Sequence, residues 1–199
     1  MLPSRILLVC QSRALVDAWS EVFVTFESVE VYEGDFFERD ADAMVSPANS
    51  FGIMDGGLDA AIRSALGYQI ESDVQAIILQ KYHGELPVGV AEIVPTSNAR
   101  WPFLVVATTM RVPESVANTL NAYLSFRAAL LAVLRHNQGA GMSPIKSLLV
   151  PGLGIGVGRM DARRCAAQMR VALDNVSKPA RIPSYSLIHE VHKKLRSAF

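Results

Sequence analysis

Twice in this chain an apolar run passes into a glycine-rich loop and then into a segment of helical spacing, and that pairing constrains the fold more than any other feature. The first instance runs from Val45 to Gly67, Val-Ser-Pro-Ala-Asn-Ser-Phe-Gly-Ile-Met-Asp-Gly-Gly-Leu-Asp-Ala-Ala-Ile-Arg-Ser-Ala-Leu-Gly. The second, Leu148-Leu149-Val150-Pro151-Gly152-Leu153-Gly154-Ile155-Gly156-Val157-Gly158, leads into a helical stretch from about Asp161. Glycines let backbone N–H groups come close to an anion, and the helix behind adds the positive end of its dipole. A tight turn with no ligand explains either loop alone, but two such loops after apolar strands can clamp one diphosphate. Two commoner phosphate loops are excluded by spacing, since neither G-x-G-x-x-G nor G-x-x-x-x-G-K-[ST] occurs.

The rest of the chain alternates in the same way. Ile6 to Cys10 is a continuous apolar run that suits a buried strand, and Arg13 to Glu21 forms a short helix with Leu15, Val16 and Trp19 on one face. Val29–Tyr32 and Ala43–Val45 read as strands, Leu58–Leu66 as a helix ended by Gly67, and Ile70–Tyr82 as the next helix. Val90–Val94 and Phe103–Ala107 form a hairpin across the turn chemistry of residues 95–100. A long helix is expected from Pro113 to about His136, with Val116, Leu120, Tyr123, Leu124, Leu131 and Leu134 as its apolar stripe and residues 137–141 ending it. Ser147–Val150 is the next strand and Ala162–Leu173 the next helix. Strands alternating with helices, plus one hairpin, predict an α/β domain on a mixed sheet.

With 199 residues, half of them hydrophobic, one sizeable core is expected and two ordinary domains are not. The single domain is taken to span residues 1–199. It includes a Pro-punctuated connector over 177–183 and a C-terminal helical extension from about 184 to 199 that packs on the outside. A formal net charge of +0 argues against non-specific binding to nucleic acid, which stays a minor partner class. The opening ten residues carry one basic side chain and an apolar run too brief for a signal segment, and no stretch reaches the roughly 20 apolar residues of a membrane span, so a cytoplasmic protein is expected. Cys10 and Cys165 give neither a disulfide framework nor a zinc spacing and read as small buried hydrophobes. His83, His136, His189 and His192 are scattered and read as surface or capping residues, so no metal and no cofactor are expected.

The first glycine segment resembles the first ligand loop of macro domains, Asn-Ala-Ala-Asn followed by Gly-Gly-Gly-Val-(Asp/Ala)-Gly-Ala-Ile, with Asn49, Gly56, Gly57, Asp59, Ala61 and Ile62 on the pattern. Gly154 and Ile155 match the centre of the family's second loop, and Gly34-Asp35-Phe36 resembles its Gly-Asp-Ile segment; together the likeness spans about Val29 to Met169. The resemblance implies a three-layer α/β/α sandwich around a central mixed sheet, and a cleft for ADP-ribose or an ADP-ribosylated substrate.

It implies ligand contacts at Asp35, Phe36, Asn49, Gly56, Gly57, Leu58, Gly152, Leu153, Gly154, Ile155 and Gly156. Asp35 would accept from the adenine amino group, and Asn49, with a donor and an acceptor, would fix a ribose hydroxyl. Asp59 would position or activate a water for attack at the anomeric carbon of the distal ribose, with Asn49 as a second catalytic candidate. Each has an ordinary alternative: a turn at Asp35, a loop cap at Asn49, and a first-turn carboxylate stabilised by the helix dipole at Asp59.

The chain also departs from the pattern. Ser46 replaces its first Asn, Asp55 replaces the first Gly of the triplet, and the second loop lacks its aromatic residues, leaving Phe51 as a substitute wall. Arg159, just past the second loop, can pair with phosphate or stand as a solvated charge. Four functions remain open: hydrolysis of ADP-ribosyl esters, non-catalytic reading of ADP-ribosylation, dephosphorylation of ADP-ribose 1″-phosphate, and binding of another nucleotide or nucleic acid. The Gln-Glu-Glu signature of poly-ADP-ribose glycohydrolases is not met by Gln69-Ile70-Glu71.

Overall fold

The computed structural model describes residues 1–139 and 143–196. Its centre is a six-stranded mixed sheet in the order β2-β1-β6-β3-β5-β4. The strands are β1 (Arg5–Cys10), β2 (Val29–Glu33), β3 (Ala43–Ser46), β4 (Ala91–Pro95), β5 (Phe103–Ala107) and β6 (Ser147–Val150). All neighbours pair in parallel except β4, which runs antiparallel to β5 as the hairpin predicted from the turn residues between them.

Strand side chains alternate between two cores, as the period of two requires. Ile6, Leu8, Val45, Val105, Leu148 and Val150 face one layer, made by α1 (Arg13–Val22), α4 (Asn121–His136) and α5 (Ala162–Ser177). Leu7, Val9, Met44, Leu104, Val106 and Leu149 face the other, made by α2 (Gly57–Leu66) and α3 (Gln69–Tyr82). Both faces of the parallel strands are therefore covered, which is why β1, β3 and β6 read as unbroken apolar runs. The result is the expected three-layer sandwich. Asp42 fastens its centre: one carboxylate oxygen accepts from the backbone N–H groups of Lys146 and Ser147 and from the Ser147 hydroxyl, tying the start of β3 to the start of β6.

The expected helix from Pro113 is corrected by the structure, since α4 begins only at Asn121. Val116 and Leu120 do recur at helical spacing, but Val116 is drawn out of line. Its side chain is buried, and its N–H donates to the carbonyl of Gly158 in the second glycine loop. Thr119 then closes a turn on Val116 and accepts from Asn121 N–H, starting the helix there. The apolar spacing was real, but a tertiary contact outweighed it. The helix end expected over residues 137–141 lies partly outside the described residues. A helix α6 (Tyr185–Arg196) follows the Pro-rich connector and inserts Leu195 against α5; positions 197–199 of the expected extension lie outside the described residues.

Candidate functional site

Five parallel strands bring their carboxyl ends to one edge of the sheet, where α/β folds place ligands. A cleft of about 640 Å³ opens there. Each of those strands contributes to its lining: Cys10 ends β1 and Gln11 and Ser12 follow it, Gly34 to Phe37 follow β2, Pro47 and Asn49 follow β3, Thr109 and Met110 follow β5, and Pro151, Gly152 and Gly154 to Gly158 follow β6. The floor is completed by the loop into α2, through Ile53, Asp55, Gly56, Gly57, Leu58 and Asp59.

Gly56 is the N-cap of α2 and has no side chain to satisfy the helix's first N–H groups. Those donors point out of the helix end with its partial positive charge, toward the cleft that Gly56, Gly57 and Leu58 line. Gly57 sits at φ 56°, in the left-handed region that costs a residue with a Cβ about 1–2 kcal/mol. A Cβ added at Gly56 or Gly57 meets nothing within 4 Å, so these glycines keep a surface clear rather than relieve a clash.

Asp59 stands in the first turn of α2. Its Oδ1 accepts from the Ser46 hydroxyl at 2.6 Å. Burial beneath the cleft pushes its carboxyl up to about 6, against the smaller, opposite pull of the Ser46 hydrogen bond. At neutral pH such a group is mostly ionised yet basic enough to accept a proton, the condition a general base requires.

Asn49 lines the cleft, and its amide also organises the loop: Oδ1 accepts from Phe51 N–H at 3.0 Å, and Nδ2 donates to the Ile53 carbonyl at 2.7 Å. Asp35 is exposed at the cleft's other end and caps a short turn, accepting from Phe37 N–H at 2.9 Å. Both residues thus have the local roles that any Asn or Asp in a turn can have, at positions that also face the cleft. Behind the first loop, Glu71 accepts from Met54 N–H at 2.8 Å and pairs with Arg63 at 2.6 Å, fixing the loop against α2 and α3.

Asp35, Phe36, Asn49, Gly56, Gly57, Leu58, Asp59, Gly152, Gly154, Ile155 and Gly156 all line this one cleft. Leu153 is the exception among the expected ligand residues: its side chain is 0% exposed within the α1–α4–α5 core, and its carbonyl accepts from Cys165 Sγ. The apolar side chains of this loop do not share one direction: Leu153 is enclosed in the core, while Ile155 and Val157 line the cleft. Phe51 and Arg159 are not in the lining; Phe51 lies under the Arg111 guanidinium, while Arg159 is exposed in a left-handed conformation.

Sequence reasoning did not place the β1–α1 loop, Thr109, Met110 or Pro113 at the site, although the rule that ligands sit at strand carboxyl ends points to the first three. Cys10 belongs to that missed wall: its thiol is half-buried, accepts from Ser12 N–H and is pushed up by burial, so it stays protonated. Among the described residues no group of three His, Cys, Asp or Glu side chains converges to hold a metal ion, and no helix is long and apolar enough to cross a membrane.

The chain matches the model of the family described as Macro domain over residues 45–169. It is 34% identical over 141 residues to an uncharacterized protein of Aeropyrum pernix, covering 70% of this chain and 67% of that one. Its fold is similar to the macrodomain of Mycobacterium tuberculosis DarG, with TM-score 0.59 and 19% identity over 73% of this chain and 89% of the other. It is also similar to Thermosipho africanus DarTG in complex with ADP-ribose, with TM-score 0.57 and 15% identity over 88% of this chain and 54% of that one. With the sheet order, the two glycine loops and the cleft between them, these matches identify the chain as a member of the macro domain family.

Proposed function

We propose that the cleft binds ADP-ribose with its diphosphate between the two glycine loops, and that Asp59 acts there as general base in hydrolysis of ADP-ribosyl esters. The observation that carries this reading is the uncapped start of α2, which presents backbone donors, and a carboxylate in its first turn, to the same cleft that the second loop closes. Backbone N–H groups at a helix start suit a diphosphate. Asp35 at the far end suits the adenine amino group, Phe36 its ring, and Asn49 a ribose hydroxyl.

In the chemical step Asp59 removes a proton from water as its oxygen bonds to the anomeric carbon of the distal ribose. The bond from that carbon to the ester oxygen breaks, and the modified side chain leaves as a carboxylate. A carboxyl titrating at about 6 accepts the proton more readily than one at the ordinary Asp value.

The charge of the lining favours this chemistry over dephosphorylation. Asp35, Asp55 and Asp59 line the cleft, and no Lys, Arg or His does so among the described residues. A terminal phosphomonoester would bring roughly two further negative charges against them.

Asp59→Ala separates the enzyme from a reader of the modification. Turnover on proteins mono-ADP-ribosylated at acidic side chains is expected to fall by about 10² to 10⁴, with ADP-ribose affinity nearly unchanged. A wild type that binds ADP-ribose but releases none would establish the reader instead.

A further inference from the structure

Ser46 is the last residue of β3, the strand held between β6 and β5, and is in register with Val106. Its side chain is 1% exposed, and its hydroxyl makes one hydrogen bond, to Asp59 Oδ1. That same contact is the one side-chain hydrogen bond of Asp59 among the described residues. It therefore joins the end of an inner strand of the sheet to a carboxylate that otherwise rides on the first turn of a helix with no side-chain cap.

We propose that Ser46 is a positioning residue of the site, whose hydroxyl engages Oδ1 of Asp59 and so turns Oδ2 to the water that attacks the substrate. The proposal rests on the hydrolytic reading above for its consequence in turnover, and on the Ser46–Asp59 contact for everything else. A hydroxyl can orient a carboxylate only if its own position is fixed. Ser46 meets that condition because its backbone is locked in the sheet and its side chain is enclosed. The hydroxyl also stabilises the charged form of a carboxylate that burial alone would drive toward the neutral acid.

Among the described residues no other charged group takes over this task. Asp55 precedes Asp59 on the same loop, and Asp35 lies at the end of the cleft that follows β2. Arg63, one turn further along α2, is committed to Glu71 at 2.6 Å. The segments from β5 and β6 place no charged side chain in the lining. Asp59 is displaced by burial and by Ser46, with no contribution from these three.

The test is a carboxylate-carbon NMR titration of Asp59 in the full chain, run beside pH profiles of kcat and KM, for the wild type and for Ser46→Ala, Ser46→Cys and Ser46→Thr. Ser46→Ala should raise the Asp59 midpoint by about one pH unit and carry the acidic limb of kcat with it, leaving KM within about twofold. Ser46→Cys keeps the shape but offers a weak donor, so its midpoint should fall between the two, and it serves in place of Ser46→Ala if that variant does not fold. Ser46→Thr, which retains the hydroxyl, should restore the wild-type profile. An unchanged Asp59 midpoint in folded Ser46→Ala or Ser46→Cys would overturn the proposal whether or not the protein hydrolyses esters. A shifted midpoint in a protein whose wild type hydrolyses none upholds the Ser46–Asp59 coupling and removes only the hydrolytic reading.

Discussion

The two glycine loops look alike in sequence and are built for different ends. In the first, Gly56 and Gly57 are exposed, a Cβ at either would meet nothing, and polar groups stand on both sides: Asn49 before them, Asp55 and Asp59 around them. In the second, a Cβ on Gly152 would come within 2.7 Å of Leu15, one on Gly154 within 3.0 Å of Val116, and one on Gly158 within 2.4 Å of the Gly154 carbonyl oxygen. Only Gly156 there faces open space. Gly56 and Gly57 in the first loop leave room for a ligand, although a Cβ on Gly52 before them would come within 2.7 Å of Val74, whereas in the second loop glycine mostly lets the chain pack on itself, on Leu15 and on Val116. One loop therefore presents chemistry, and the other holds a wall in place.

The largest expected effect tests the second loop. Gly158→Ala forces a Cβ against a backbone carbonyl that no rotamer change can move, so it should destabilise the fold by about 3 kcal/mol in denaturant unfolding, at the upper end of overpacking costs. Gly56→Ala should be nearly neutral by the same measurement, within about 0.5 kcal/mol. Equal losses at the two sites would erase the distinction between the loops.

A slightly smaller effect belongs to the first loop and depends on pH. The folded-state value of Asp59 lies above its unfolded one, so its stabilising contribution is complete below about pH 4, the unfolded value, and is lost as pH rises through about 6. Asp59→Asn, which still accepts from Ser46, should therefore stabilise the protein by about 2–3 kcal/mol at pH 8 and by little at pH 4. A pH-independent difference in melting would show that the carboxylate is not desolvated there.

The smallest effect concerns affinity alone. Asp35→Asn keeps an oxygen for Phe37 N–H but turns a donor toward the adenine amine, and should weaken ADP-ribose binding by about 1.5–3 kcal/mol without lowering the melting temperature. Unchanged affinity in calorimetry would remove Asp35 from the site.

Much of this was legible from the residues. Strand runs such as Leu148–Val150 and the hairpin turn over residues 95–100 are local signals, and each element they predict is present. The start of α4 was not legible, because the N–H of Val116 answers to Gly158, more than forty residues away. Leu153 was similarly hidden: its sequence neighbours are ligand-loop glycines, and only the packing of α5 shows that its side chain points inward. The partner of Asp59 could not be read either. Ser46 was visible as a departure from the macro-domain pattern, but a strand and a helix thirteen residues apart come together only in the folded sheet.

What stands or falls on ligand binding is that two differently built loops form one cleft fitted to the whole of ADP-ribose. Calorimetric titration of the wild-type chain with ADP-ribose, AMP, ADP and NAD tests it most directly. ADP-ribose should bind at least about tenfold more tightly than each of the others, a difference of about 1.4 kcal/mol. Comparable weak binding of all four would contradict it.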